Sequence, residues 1–457
     1  MPVTIAVWQW PNAGYMPSTP TLKTEVSGFG YNYQCTEGYN GDGNSGATTI
    51  CGNYPNSGGG NDGGVTQIVN DGLLMMKDHR YHNGGGSNIY PEAGSFATYV
   101  SVAGPNMNGT GTHGGTVAPI LSGAKQVTQS LHYATTTSSA IWTNWQSNFD
   151  TQGWGTAGQL PLYFYLCDEP PNGCTWANLV SNGNTYHGYL NPGVPNLVTT
   201  DYLSAKTNNA LNAIDIMVVP ISTLEPVGGP IQSLSNYTTW LNTTNPSGTV
   251  RQFWSYLSCS VSGTCTNGTS GGSTSTFPNY DVDGKPAANR AMEWMTYLHG
   301  QTGELYYAAD VCEGWNVYPP NTCGYPAHPL DPWVSNYYSG GWGDGTLTYT
   351  GGIVSGKPSY MGSGVTIPII LPSLRLKIIR DGVQDYEYLY KLNSLGYGTF
   401  VNAQLKSWVT NSYTFETTGS GLQSARQALG NQMHALTYGS SSNPSTQLPP
   451  GLAIKVK

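Results

Sequence analysis

Charge is scarce in this sequence: only 9% of its 457 residues are Asp, Glu, Lys or Arg, against about 25% in an average soluble chain. There is no basic run, and the net charge is −8. This excludes the electrostatic footprint of a protein that grips nucleic acid or an anionic membrane surface. No stretch of about 18 consecutive apolar residues occurs, so no membrane span is expected. The eight cysteines include no Cys-x-x-Cys pair, which removes the commonest zinc pattern, and no metal or organic cofactor is expected. No repeat of about 20–50 residues is visible, which excludes solenoids and propellers.

Glycine (60), tyrosine (32) and tryptophan (13) fill the chain instead, with many Ser, Thr and Asn. The aromatics can build a core, so the low charge does not signal disorder. A surface of hydroxyls, amides and rings suits a neutral, polar ligand such as a sugar. The cysteines are Cys35, Cys51, Cys167, Cys174, Cys259, Cys265, Cys312 and Cys323. Their spacing suggests pairs 35–51, 167–174, 259–265 and 312–323, each closing a short polar loop. Disulfides imply an oxidising compartment and hence export. The first residues, Met1 to Val7, show no basic segment or cleavage site. The expectation is a mature or truncated form of a secreted chain.

The length fits one large barrel or two to three ordinary domains. Short strands are expected at Val3–Trp8, Leu73–Met76, Leu162–Leu166, Asn196–Thr200, Ile214–Val219, Gln252–Leu257 and Glu304–Ala308. Helices are expected at Ala118–Ser130, Ala140–Asp150 and Ala287–His299. The apolar stripe Leu374, Ile378, Ile379, Val383, Tyr386, Leu389 and Tyr390 predicts a helix over Pro372–Leu395, with Gly396 just past its end. Thr399–Val409 and Gly421–Leu436 complete the set, and the tail from Ser440 reads as extended. Alternating strands and helices favour an α/β fold with a parallel sheet, specifically a (β/α)8 TIM-like barrel over residues 1–395. C-terminal helices over 396–440 pack on it, and 441–457 forms the tail. Glycine-rich loops at 37–64, 83–116, 181–194 and 260–276 follow strand ends, where a barrel's rim lies.

The most informative segment is Tyr163-Phe-Tyr-Leu-Cys167-Asp168-Glu169-Pro170-Pro171. An apolar, aromatic run reads as a buried strand, and the prolines end it. Asp168 and Glu169 therefore sit at a strand's C-terminal end, where α/β barrels keep their chemistry. A solvated turn with two helix-starting acids is the other reading of the same residues. Strict alternation would also send the two carboxylates to opposite faces unless the strand breaks there.

The segment Pro372 to Leu389, with Arg375, Arg380-Asp381-Gly382 and Asp385-Tyr386-Glu387, resembles the C-terminal signature of glycoside hydrolase family 123 and its relatives of unassigned function. Other pieces follow in that family's order. They are Pro2–Trp8, Leu73–Arg80, Tyr163–Pro170, Ile214–Ile216, Phe253–Tyr256, Arg290 with Trp294, Gly303–Tyr307, Asp331-Pro-Trp333 and Gly343-Asp-Gly345. The family usually carries a β-sandwich before its barrel, and this sequence opens at the barrel. The resemblance implies a retaining β-N-acetylhexosaminidase, with N-acetylgalactosamine favoured, in which the substrate's own 2-acetamido oxygen attacks the anomeric carbon. It implies Glu169 as the acid/base and Asp168 as the group that orients the acetamido N–H. Trp254, Tyr256, Tyr307, Trp315 and Trp333 are expected to form the sugar platform, each being equally compatible with core. Tyr256 or Tyr307 would donate to the acetamido oxygen. Arg80 would bind sugar hydroxyls or form a buried structural ion pair, and His79 and Asp331 are further candidates. Arg375, Arg380, Asp381 and Asp385 are expected to lock the last long helix onto the barrel. An endo-acting glycosidase on another glycan, or a non-catalytic carbohydrate-binding protein, fits the same residues.

Overall fold

Strands buried on both faces read as near-continuous apolar runs, because parallel sheets are covered by helices on the outside. The segments Asn-Leu-Val-Thr, Ile-Met-Val-Val-Pro and Gln-Phe-Trp-Ser-Tyr-Leu are of this kind, and they lie side by side as parallel neighbours. The computed structural model describes residues 16–26, 72–82, 100, 104–111, 120–130, 139–154, 162–188, 195–229, 232–245, 248–262, 277–309, 342–351 and 369–438. Its strands are β1 (Lys23–Val26), β2 (Gln129–Ser130), β3 (Leu162–Cys167), β4 (Asn196–Thr199), β5 (Ile216–Pro220), β6 (Gln252–Leu257) and β7 (Gly303–Tyr306). Parallel neighbours need crossovers, and helices supply them. After α1 (Ser139–Thr151) come α2 (Trp176–His187), α3 (Tyr202–Thr207), α4 (Ile221–Leu224), α5 (Leu234–Asn242), α6 (Cys259–Ser262) and α7 (Pro286–Leu298).

The expected closed eight-stranded barrel does not form. Six parallel strands pair in the order β1-β7-β6-β5-β4-β3, and the two-residue β2 joins β3 as a short seventh. No ladder among the described residues joins β1 to β2. Residues 80–82 lie beside β1, where Val26 N donates to His82 O (3.1 Å). His82 N, however, donates to the Thr24 hydroxyl (2.8 Å), and that hydroxyl donates to Arg80 O (3.4 Å). A side chain thus takes the place of the backbone partners a ladder requires, and Arg80 itself is left-handed at φ 58°. The result is an incompletely closed half-barrel.

Other expectations also changed. Leu73–Met76 is not a strand; residues 72–78 are helical and buried, since a short apolar run carries no period of its own. Described residues 120–130 are turns and extended chain ending in β2 rather than a helix. Residues 181–187, expected in a glycine-rich loop, belong to α2. Gly183 sits there because a Cβ would lie 2.7 Å from Ala213 Cβ. Val3–Trp8 lies outside the described residues. Cys167 and Cys174 form the expected disulfide, and the other three expected pairs each involve a residue outside them.

The inner face of the curved sheet carries Tyr163, Tyr165, Leu197, Ile216, Val218, Trp254, Tyr256 and Leu305 as one core. The outer face carries Cys167, Val198, Met217, Val219 and Phe253 against the helices. A further core joins α7 to α8 (Leu374–Ser394), α9 (Gly398–Lys406) and α10 (Ser420–Tyr438). Its polar centre is Asp385, which is fully buried. Arg290 grips it bidentately, Nε to Oδ2 at 2.6 Å and Nη2 to Oδ1 at 2.9 Å. Trp294 Nε1 donates to Oδ2 (2.9 Å) and Arg426 to Oδ1. Burial, and then the charge of Arg290, lowers the Arg426 pKa to about 9. Gly382 lets the helices approach, since a Cβ there would stand 2.2 Å from Glu293 Oε2. Arg380 and Asp381 pair at the surface (3.0 Å), where such pairs contribute little. Arg375, by contrast, is buried and donates to the carbonyls of Tyr280 and Gly343, both at 2.6 Å. Asp385→Ala would strand two buried guanidinium groups, and we expect a loss of about 3–5 kcal/mol in denaturant unfolding; a loss within about 0.5 kcal/mol of zero, the scale of an ordinary surface substitution, would contradict this account of the helical layer.

Candidate functional site

β3 ends at Cys167, and its last residues do not pair regularly with β4. Tyr165 lies opposite Leu197 but Cys167 opposite Val198. A bulge of this kind re-aims the side chains that follow it. Two residues on, Glu169 has φ 41°, a left-handed conformation that non-glycine residues seldom adopt and that clusters at functional sites. The bulge and the left-handed residue answer the alternation problem. Asp168 and Glu169 both act electrostatically on one side chain, Tyr256 of β6.

The turn that follows is closed by its own backbone. Asn172 N donates to Glu169 O (2.7 Å), and Gly173 N to Asp168 O (2.8 Å). Position 173 must lack a side chain, because a Cβ would stand 2.3 Å from Asp168 O. The Cys167–Cys174 disulfide joins the two ends of the turn. Thr175 then caps α2, its hydroxyl accepting from Asn178 N (3.2 Å).

Asp168 Oδ1 accepts from the hydroxyls of Tyr165 and Thr199, each at 2.8 Å. Thr199, at the end of β4, also accepts from Glu169 N (2.6 Å). The Glu169 carboxyl is hydrogen-bonded to Tyr256. Burial pushes the Glu169 pKa above its ordinary value and the neighbouring Asp168 charge adds to this, while the Tyr256 bond opposes them. Burial, then the charges of Glu169 and Asp168, raise the Tyr256 phenol well above 10. Tyr256 also bonds Ser258. Such a pair of carboxyls, one inclined to hold its proton and one anchored by hydroxyls, is chemically suited to proton transfer beside a stabilised negative charge.

Tyr307 packs against the inner core that contains Tyr256. It lies beside the buried Asp344, which accepts from Tyr306 Oη (2.8 Å) and Cys259 N (3.0 Å). Gly345, at φ 75°, gives Tyr307 room, since a Cβ would lie 2.5 Å from its hydroxyl. Trp254 is deeper, 0% exposed. It packs edge-on against Tyr163 at 6.0 Å and bonds Gln252 Oε1 (3.0 Å). Gly303 leaves space for its ring, which a Cβ would approach to 2.4 Å. Trp254 is core.

The structure does not group Arg80 with the carboxylate pair. It is buried, and its charged neighbours are Glu387 and Arg380 of α8. Glu387 in turn accepts from Thr21 Oγ1 (2.8 Å) and Leu22 N (3.3 Å) at the start of β1. His79 is likewise buried, its Nδ1 2.7 Å from Met75 O. Trp315, Asp331 and Trp333 lie outside the described residues.

No family model and no curated protein matches this chain. One solved structure similar to it is a family 123 glycoside hydrolase from Clostridium perfringens, studied for glycolipid glycan hydrolysis. The TM-score is 0.37 at 15% identity, over 65% of this chain and 45% of that one. The chain spans less than half the length of that protein. It is a distant structural neighbour of a family 123-like fold and nothing more specific.

Sequence reasoning passed over Tyr165, Thr199, Ser258 and Asp344 as parts of this site. Thr199 had a signal: it is a hydroxyl at the C-terminal end of a strand adjacent to β3, level with the acids. Asp344 stood between two glycines among the pieces that carry the resemblance, with no role expected of it. Removing the Tyr256 hydroxyl removes the one bond that lowers the Glu169 pKa, so in Tyr256→Phe the Glu169 carboxyl should titrate at higher pH than in the wild type. Carbon-13 NMR of side-chain-labelled glutamate reads this directly, and a downward or absent shift would show that the bond does not hold the carboxyl.

Proposed function

We propose that this chain is a secreted glycosidase that cleaves a β-linked N-acetylhexosamine, N-acetylgalactosamine favoured, with retention of configuration. The observation that carries the reading is the adjacent pair Asp168 and Glu169 just past a strand end, both bonded to one Thr199 hydroxyl, with Glu169 inclined to keep its proton. A glycosidase needs a general acid beside the leaving oxygen, and burial with a neighbouring carboxylate is the usual way to tune one. In this reading Glu169 donates that proton and later takes one from water. Asp168, held through Oδ1, offers its other oxygen to the substrate's amide N–H while the acetamido oxygen attacks the anomeric carbon. The developing oxazolinium is positive, so a fixed carboxylate beside it lowers the barrier. Tyr256 and Tyr307 serve as hydroxyl donors and apolar surface for a sugar ring. The cation-poor surroundings suit a neutral glycan.

The Cys167–Cys174 disulfide supports an extracytoplasmic setting. No helix among the described residues is long and apolar enough to cross a membrane.

Chromogenic β-glycosides and longer oligosaccharides, with Glu169→Gln beside wild type, test the assignment. We expect release from the 2-acetamido galactoside and a fall of about 10²–10⁴-fold in kcat/KM for the variant. Unchanged activity in Glu169→Gln at every pH would remove Glu169 as the acid. The rate should fall as pH rises through the Glu169 pKa, because only the protonated acid donates; its upward shift extends activity towards neutrality. Asp168→Asn should impair 2-acetamido substrates specifically. Equal, small losses on substrates with and without the acetamido group would argue for a mechanism that does not use it. Release from longer glycans alone would move the reading to an endo-acting enzyme.

A further inference from the structure

Two consecutive residues of a strand do not naturally face the same way, and the bulge alone leaves Glu169 in a conformation with a cost of its own. Something must hold it there. Thr199 is 2% exposed and sits on β4, which is paired to β3 on one side and β5 on the other. Its position is fixed by Thr200 N donating to Val218 O (2.9 Å). A threonine hydroxyl has one hydrogen and two lone pairs. Here the hydrogen goes to Asp168 Oδ1 (2.8 Å) and a lone pair takes Glu169 N–H (2.6 Å). One oxygen on the neighbouring strand therefore touches both residues, the side chain of the first and the backbone of the second.

We propose that Thr199 is the positioning residue of this site: its hydroxyl pins the left-handed Glu169 backbone and the Asp168 side chain together, so that both carboxyls work on one substrate. The role rests on the glycosidase reading only for its meaning in catalysis. A second consequence concerns Asp168. With Thr199 and Tyr165 both bonded to Oδ1, Oδ2 is the oxygen left for a substrate N–H. Thr199 thereby selects which carboxylate oxygen meets the substrate.

The test compares Thr199→Val, which keeps the shape without the hydroxyl, with Thr199→Ser, which restores the hydroxyl. The readout is the titration of Glu169 by carbon-13 NMR, its signal assigned by loss in Glu169→Gln. Loosening Glu169 from its buried place beside Asp168 removes both causes of its raised pKa. The Thr199→Val midpoint should therefore move down towards an ordinary glutamate, opposite in sign to Tyr256→Phe, and Thr199→Ser should titrate like wild type. On an active substrate, Thr199→Val should lower kcat by about 10²-fold, the scale of a misplaced catalytic group, with Thr199→Ser recovering most of it. A folded Thr199→Val that titrates like wild type overturns the proposal. If that variant does not fold, the wild-type Glu169 amide decides: protection from hydrogen exchange is expected, and rapid exchange overturns the role. The titration needs no turnover, so an inactive wild type would sink the glycosidase reading while leaving this one to its own test.

Discussion

A parallel strand buried on both faces can carry a charge along its length only where donors replace water, as the hydroxyls of Tyr81 and Tyr280 do for the buried Glu304 of β7. The inner face of this sheet is accordingly tyrosine, tryptophan and aliphatic side chains from β3 to β7. Its polar chemistry is pushed to the strand ends. Asp168 and Glu169 sit one and two residues beyond the end of β3, and Thr199 at the end of β4. The rest of the site follows from that boundary.

The turn beyond β3 is held by several independent means. Two backbone bonds, a disulfide, a glycine with no room for Cβ and the cap of α2 all fall within residues 167–178. Each fixes main chain rather than side chain. The carboxyls are then met by hydroxyls from other strands of the sheet, Thr199 from the adjacent β4 and Tyr256 from β6. A catalytic geometry is best supported in this manner, with rigid elements below and hydrogen bonds around. Asp344 gives the same support on the β7 side, where it holds Tyr306 and the start of α6.

In a chain with so little charge, the buried ions deserve a physical reason. Asp385 takes Arg290, Arg426 and Trp294 from two other helices, and Arg375 takes carbonyls of the segments around 280 and 343. Planar guanidinium groups satisfy many acceptors at once, which suits joints between elements that meet at odd angles. Asp385, Arg290, Trp294 and Arg375 stand in the segments that carried the family resemblance, and their contacts are joints between elements. Arg80 belongs with them in placement, beside Glu387 rather than beside the acids.

Local pattern determined much of this protein. The strands at 162–167, 196–199 and 252–257 and the helices at 286–298, 374–394 and 420–438 fall where the pattern put them, to within one or two residues at their ends. The turn after Cys167 and its disulfide were legible from two prolines and a seven-residue cysteine spacing. Closure of the sheet was not legible, since it hangs on Thr24 replacing backbone partners and on a left-handed Arg80, which no periodicity encodes. Nor could Leu73–Met76 be told from a strand, or Trp254 from a sugar platform, because burial is decided by what packs opposite. The sequence by itself set two acids at a strand end; only the tertiary structure decided that, after a bulge and at a left-handed glutamate, one hydroxyl from the next strand binds both residues, because those contacts join residues about thirty positions apart.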